Sequence, residues 1–158
     1  MKNRSTWIII LAVVLVFYWW RYRRAPELEL DTIKVTDGNG DAHSLQSLLA
    51  DSSIVLFYAS WCGPCLKELR ELKSHYADYE STGVRIFCVT DDAPEKIEVM
   101  RANMPSSIHF LHTASLQGIG IYTIPASYSV LKGKITDKQL SALDWQQKKE
   151  ILETFNTN

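Results

Sequence analysis

Hydrophobic and polar positions change rhythm several times along this chain, and each rhythm predicts an element. Residues 7–20 form an apolar run of about fourteen residues with no polar face. Residues 27–35 alternate instead, with Leu28, Leu30, Ile33 and Val35, and predict a first strand with a slip in phase. Asp37-Gly38-Asn39-Gly40 is a turn signal, and Ser44 is placed to cap a short helix running to Ala50. Residues 54–59 (Ile-Val-Leu-Phe-Tyr-Ala) suffice for one buried strand and are too few for an ordinary helix. In residues 66–79 the apolar positions Leu66, Leu69, Leu72, Tyr76 and Tyr79 recur at helical spacing. Residues 84–90 predict a second core strand ending at Asp91-Asp92, residues 93–103 a helix with Pro94 in its first turn, and residues 108–111 a short strand; Met104-Pro105 is read as a loop. From Asp137 onward, Leu140, Leu143, Ile151, Leu152 and Phe155 predict one face of a closing helix. Strand–helix–strand–helix order implies parallel pairing, and a hairpin after Pro125 adds antiparallel strands. The expected class is α/β, a mixed sheet flanked by helices.

Flanking charges change the meaning of the first run. Lys2 and Arg4 precede it, and Arg21, Arg23 and Arg24 follow it. Counted as residues 5–22 with snorkelling arginines, it spans about 27 Å as a helix, close to the bilayer core. Trp7, Trp19 and Trp20 bracket it as an interfacial aromatic belt does. A cleavable signal ends in small residues, whereas Trp19-Trp20-Arg21 makes a poor cleavage site. Residues 1–24 are therefore expected to be an uncleaved single-pass transmembrane anchor, and residues 25–158 one globular domain. The positive charge is slightly heavier after the run, which by itself would leave the domain in the cytoplasm. With 158 residues, 46% hydrophobic and 22% charged, the chain can bury one core and has no room for two domains. A net charge of −1 gives no reason to expect nucleic acid.

Chemistry concentrates between the strand 54–59 and the helix that follows. Cys62 and Cys65 sit where the helix begins, with Pro64 tolerated in its first turn. First-turn amides lack intrahelical partners, and the helix dipole places partial positive charge there, so a thiolate at Cys62 is favoured. Cys62 is read as the attacking sulfur at the helix mouth, and Cys65, one turn deeper, as the resolving one. A structural zinc site wants four ligands, and only Cys88 remains; His109 and His112, three apart in an extended segment, point to opposite faces. Two thiolates do suffice for copper(I), which leaves a copper-binding protein without redox turnover as the rival reading. Thiol exchange needs no organic cofactor and no metal. Cys88, in the middle of an apolar strand, is read as a buried small hydrophobe.

Trp61-Cys62-Gly63-Pro64-Cys65 resembles the active-site motif of thioredoxin, and the resemblance covers residues 28–155, nearly all of the chain past its N-terminus. Thr123-Ile124-Pro125-Ala126-Ser127 looks like the family's cis-proline loop, followed by a strand, a tight turn at Lys132-Gly133 and an edge strand. The resemblance implies a cis Ile124–Pro125 bond facing the cysteines, with neighbouring backbone pairing to an extended substrate segment. It implies substrate contacts at Trp61, Gly63, Pro64, Ile124 and Pro125, with Trp61 shielding the cysteine pair. Thioredoxin's buried aspartate six residues before the first cysteine is replaced by Leu56, and Glu68, three residues after Cys65, is the substitute for proton transfer. Cys-x-x-Glu is similar to the membrane-anchored TlpA/ResA-like branch, whose helix-kinking proline is here Arg70. The peroxiredoxin signature is missing, since Ala59 stands where that family has threonine and no proline lies in the preceding strand. The resemblance further implies a reductant acting on protein thiols and disulfides, supplied by a membrane thiol carrier. Its clients would be cysteines awaiting haem in cytochrome c maturation or misoxidised proteins, and its domain would lie on the outer face of a bacterial inner membrane.

Overall fold

The computed structural model describes residues 2–22, 27–141 and 145, with the side chains of residues 2–6 and 18–22 left aside. A helix, α1 (Lys2–Tyr22), precedes a hairpin of β1 (Lys34–Thr36) and β2 (Ala42–Ser44) and a one-turn helix α2 (Leu45–Leu48). Then come β3 (Ser52–Phe57), α3 (Gly63–Glu80), β4 (Arg85–Thr90), α4 (Pro94–Ala102) and β5 (Ile108–His112). A 3₁₀ turn (Gln117–Ile119) leads to β6 (Ala126–Leu131) and β7 (Lys134–Gln139). One seven-stranded sheet results, in the order β2-β1-β5-β4-β3-β6-β7. β3, β4 and β5 run parallel, and the other pairs are antiparallel.

Central position explains the apolar run of β3 after its two opening serines: with both faces covered, all six of its residues are buried, Ser52 and Ser53 included. Ile54 and Leu56 face the α3 side, among Leu69, Leu72, Tyr76 and Tyr79. Val55 and Phe57 face the other side, among Leu45, Val89, Leu111 and Tyr128. Alternation along one strand thus ties together two apolar layers, at about 1.5–3 kcal/mol for each large side chain fully buried.

Register then decides what meets at one end of the sheet. Phe57 pairs with Val89 in the parallel ladder and with Ala126 in the antiparallel one. The chain leaving β3 therefore lies beside the chain leaving β4 and the chain entering β6. Residues 58–62, Asp91-Asp92 and Ile124-Pro125 come from far apart in sequence and share this edge.

Three expectations are corrected. Residues 27–35 are not one strand: only Lys34 and Val35 belong to β1, and Thr32 donates its backbone N–H (3.0 Å) and its hydroxyl (2.8 Å) to the Glu29 carbonyl in a turn. The slip in phase was that turn, which still buries Leu30 and Ile33. Asp137 does not open a helix but lies in β7, opposite Ser129. Lys132 (φ 48°) and Gly133 (φ 76°) form a tight turn with both central residues left-handed, which suits a two-residue hairpin. β7 then carries an irregularity opposite Ser129 and Val130, and that hides its period of two. Leu143, Ile151, Leu152 and Phe155 lie outside the described residues; Trp145 is helical and buried, its ring edge-on to Tyr79 at 5.3 Å.

The expected transmembrane helix is not met: among the described residues no helix is long and apolar enough to cross a membrane. α1 has 21 residues, and its described side chains, 7–17, are all exposed.

Candidate functional site

The site is built at the junction of β3 and α3. The Tyr58 N–H donates to the Val89 carbonyl (3.0 Å), so the β3–β4 ladder persists one residue past the strand. A turn follows over residues 59–62, closed by the Cys62 N–H on the Ala59 carbonyl at 3.1 Å. Cys62 is the extended N-cap of α3 (φ −86°, ψ 104°), its carbonyl accepts from the Leu66 N–H (3.0 Å), and Pro64 occupies the first turn. The Cys62 sulfur accepts the Cys65 N–H at 3.3 Å, one of the orphan donors at the helix start. This contact puts a backbone donor and the positive end of the helix dipole on the sulfur read as nucleophile.

Cys62 and Cys65 are joined as a disulfide with their Cα atoms 5.2 Å apart. The Cys62 sulfur stands 3.9 Å from the carbonyl oxygen of Ile124, and the Ile124–Pro125 bond is cis. Both landmarks of the sequence thus meet. Cys62 is less open than expected: it is 5% exposed, against 0% for Cys65. The Ile124 carbonyl on one hand and the bonded Cys65 on the other lie against its sulfur. Gly63 and Pro64 are exposed beside it. Trp61, expected to shield the cysteines, is 74% exposed instead; it borders a shallow apolar hollow with Val99 and Met100 of α4.

Glu68 is fully buried in the stripe of α3 that also carries Cys65, Leu69 and Leu72. Its helical offset of three puts it on the Cys65 side. Across from it, Leu56 pairs with Cys88 in the β3–β4 ladder. A carboxyl group thus enters the core from the helix where β3 offers only leucine. Cys88 is a buried free thiol. Burial first, and the Glu68 carboxylate second, push that thiol well above the usual range, which keeps it protonated and inert. Tyr58 is buried as well; desolvation first, with the Asp92 charge behind it, pushes its phenol upward.

The sequence reading passes over Asp91 and Asp92, which it takes only as a strand end. Asp92 is 8% exposed. Its Oδ2 accepts from the Ser60 N–H (2.6 Å) and the Thr90 hydroxyl (3.0 Å), and its Oδ1 from the Ser60 hydroxyl (3.1 Å). Asp91 Oδ2 accepts the Leu116 N–H at 3.0 Å. One signal was available: acidic residues at the carboxyl end of a parallel strand, the end where α/β sheets place their sites. His109 stacks on Phe87 at 4.9 Å, with burial first and Arg85 second lowering its pKa. Among the described residues no group of three or more His, Cys, Asp or Glu side chains is placed to hold a metal ion.

A sequence profile described as the AhpC/TSA family matches residues 22–128. The thiol-disulfide oxidoreductase ResA of a Bacillus cereus strain is 27% identical over 172 aligned residues, which take in 98% of this chain and 95% of that protein. Among solved structures, a thioredoxin-like protein from Porphyromonas gingivalis is similar with a TM-score of 0.66 at 22% identity, over 81% of this chain and 94% of its own. StoA from Bacillus subtilis gives a TM-score of 0.58 at 23% identity, over 80% and 96%. At such identities the two structures speak for the fold.

Proposed function

The chain belongs to the AhpC/TSA family, and we infer that within it this protein is a thioredoxin-like thiol–disulfide oxidoreductase that works through Cys62 and Cys65. The observation that carries this reading is the Cys62 sulfur, held at a helix start by the Cys65 N–H and set 3.9 Å from the carbonyl before a cis proline. In the reducing direction the Cys62 thiolate attacks one sulfur of a client disulfide. A Cys62–client bond forms, the client S–S bond breaks, and the other client sulfur leaves as a thiolate. Cys65, its proton passed to Glu68, then attacks the Cys62 sulfur. The Cys62–Cys65 disulfide closes, and the second client sulfur departs and takes up a proton. Two electrons have moved to the client. The backbone beside Ile124 and Pro125 offers the client main chain a place to pair, and Trp61, Gly63 and Pro64 form the rest of the rim.

Reduction of insulin disulfides with dithiothreitol as electron source tests this reading. Turnover above the reagent's own rate is expected. No turnover, with tight stoichiometric retention of copper(I), would favour the copper-binding rival, in which the same two thiolates hold the ion. Glu68→Gln is expected to slow the resolving step on the order of a hundredfold, the usual scale for a positioned acid–base group. Rapid-quench measurement of mixed-disulfide decay checks it, and an unchanged decay rate with an unchanged Cys65 titration removes Glu68 from the mechanism.

For residues 1–24 the reading is a membrane anchor, with residues 25–158 as the redox domain. One observation supports it: the apolar side chains of α1 from Trp7 to Phe17 are exposed. An apolar surface of that kind seeks lipid or a partner. Full-length chain is expected in the membrane fraction after an alkaline wash and a chain starting at residue 25 in the supernatant; release of the full-length chain by that wash would end the anchor reading. As the resemblance to the TlpA/ResA-like branch implies, the reading extends to an extracytoplasmic domain fed by a membrane thiol carrier, with clients that include cytochrome c precursors. Labelling of Cys62 in intact cells by an impermeant thiol reagent decides the side.

A further inference from the structure

We propose that Asp91 and Asp92, adjacent at the carboxyl end of β4, are the positioning pair of this thiol site, each carboxylate holding one of the two loops between which Cys62 and the Ile124 carbonyl meet. The inference rests on reading Cys62 as the attacking sulfur and adds what sets that sulfur's place. Parallel register brings Asp92, three residues past Val89, level with Ser60, three residues past Phe57. Asp92 then grips Ser60 twice, at the backbone N–H and at the hydroxyl. Thr90 braces the carboxylate from behind and accepts the Asp92 N–H in return, at 3.1 Å. Ser60 lies inside the turn 59–62, whose closing hydrogen bond delivers Cys62 to the helix start. A rotation of that turn would carry the sulfur away from the Cys65 N–H.

Asp91 does the corresponding work on the other loop. Its carboxylate holds the Leu116 N–H, and the Leu116 carbonyl accepts the Ile121 N–H at 2.9 Å. Both Leu116 and Ile121 are buried, so this short segment is fixed at two points before the chain runs on to Ile124 and Pro125. Successive residues of an extended chain project to opposite sides, which lets one dipeptide reach both loops. Neither aspartate touches a sulfur, and both act through the backbone they hold.

The test uses full-length Asp92→Ala, Asp92→Asn, Asp91→Ala and Ser60→Ala proteins. Two measurements are made: the pH profile of Cys62 alkylation in the reduced protein, mapped by peptide mass, and the kinetics of insulin reduction, resolved into KM and kcat/KM. Asp92→Ala is expected to displace the alkylation profile and to lower kcat/KM at least about tenfold, since a misplacement near 1 Å costs about a hundredfold. Asp92→Asn should return both quantities to within about threefold of wild type, because its amide oxygen can take the Ser60 and Thr90 donors and its NH₂ can donate to the Ser60 hydroxyl. Asp91→Ala should raise KM and leave the Cys62 profile unmoved. A folded Asp92→Ala protein with wild-type profile and kcat/KM overturns the proposal, as does Asp92→Asn impaired as deeply as Asp92→Ala, or Asp91→Ala with an unchanged KM. Should Asp92→Ala fail to fold, Ser60→Ala removes one of the same bonds and must move the profile in part; a wild-type profile there is equally fatal. Absence of insulin turnover in the wild-type chain would instead count against the oxidoreductase reading, and the alkylation profile, which needs no client, would still judge the positioning role.

Discussion

Cys62→Ser is expected to abolish insulin reduction, a fall of at least about a thousandfold, because a serine hydroxyl beside a backbone amide is no nucleophile at neutral pH. Cys65→Ser gives a different failure. Cys62 still attacks, but the resolving sulfur, one helical turn deeper and fully buried, is gone. The mixed disulfide then accumulates and should appear on non-reducing gels and by mass, and it should vanish in the double variant. The asymmetry follows from placement. Only Cys62 is offered to the cis-proline loop, where its sulfur lies 3.9 Å from the Ile124 oxygen. Trapping through Cys62 by a Cys65→Ser protein also provides the client list. Equal trapping by Cys62→Ser through Cys65 would show that the assigned order of attack is wrong.

Phe57→Ala is expected to cost about 3–5 kcal/mol of stability, a large share of the 5–15 kcal/mol typical of a domain. Phe57 is 0% exposed and meets Tyr128 edge-to-face, centroids 5.6 Å apart. Truncation leaves a cavity on one face of the sheet, in the apolar layer that Phe57 shares with Leu45, Val89, Leu111 and Tyr128. A fall in melting temperature of roughly 10–20 °C follows for a domain of this size. Urea unfolding of the oxidised protein measures the change. Trp61→Ala, at an exposed ring, should shift stability by less than about 0.5 kcal/mol. A loss below about 1 kcal/mol for Phe57→Ala would mean that β3 is not the shared core of the two layers. Since residues 58–62 continue from Phe57, the same cavity should also loosen the redox turn.

How much of this was legible beforehand differs from element to element. Residues 54–59 announced a buried strand because a central strand of a mixed sheet is apolar on both faces, and the helix after Pro64 announced itself by its stripe from Leu66 to Tyr79. Cys62 and Cys65 were found because their chemistry is carried by residue type and short spacing, whereas the cis Ile124–Pro125 bond was what the resemblance to thioredoxin implied. β7 was misread as the start of a helix because its irregularity breaks the alternation that marks a strand. Residues 27–33 were misread because a turn can bury Leu30 and Ile33 as well as a strand can.

The amino-acid sequence by itself determined the central strand β3, the helix α3 with Glu68 on the Cys65 side, and the reactive cysteine pair, since each depends on neighbours within one or two helical turns. Tertiary structure alone decided that the Cys62 sulfur lies beneath the Ile124 carbonyl, and that Asp91 and Asp92 each hold a loop of the site. Those placements follow from strand pairing, which joins residues about 30 to 80 positions apart, a separation that no local spacing of residue types records.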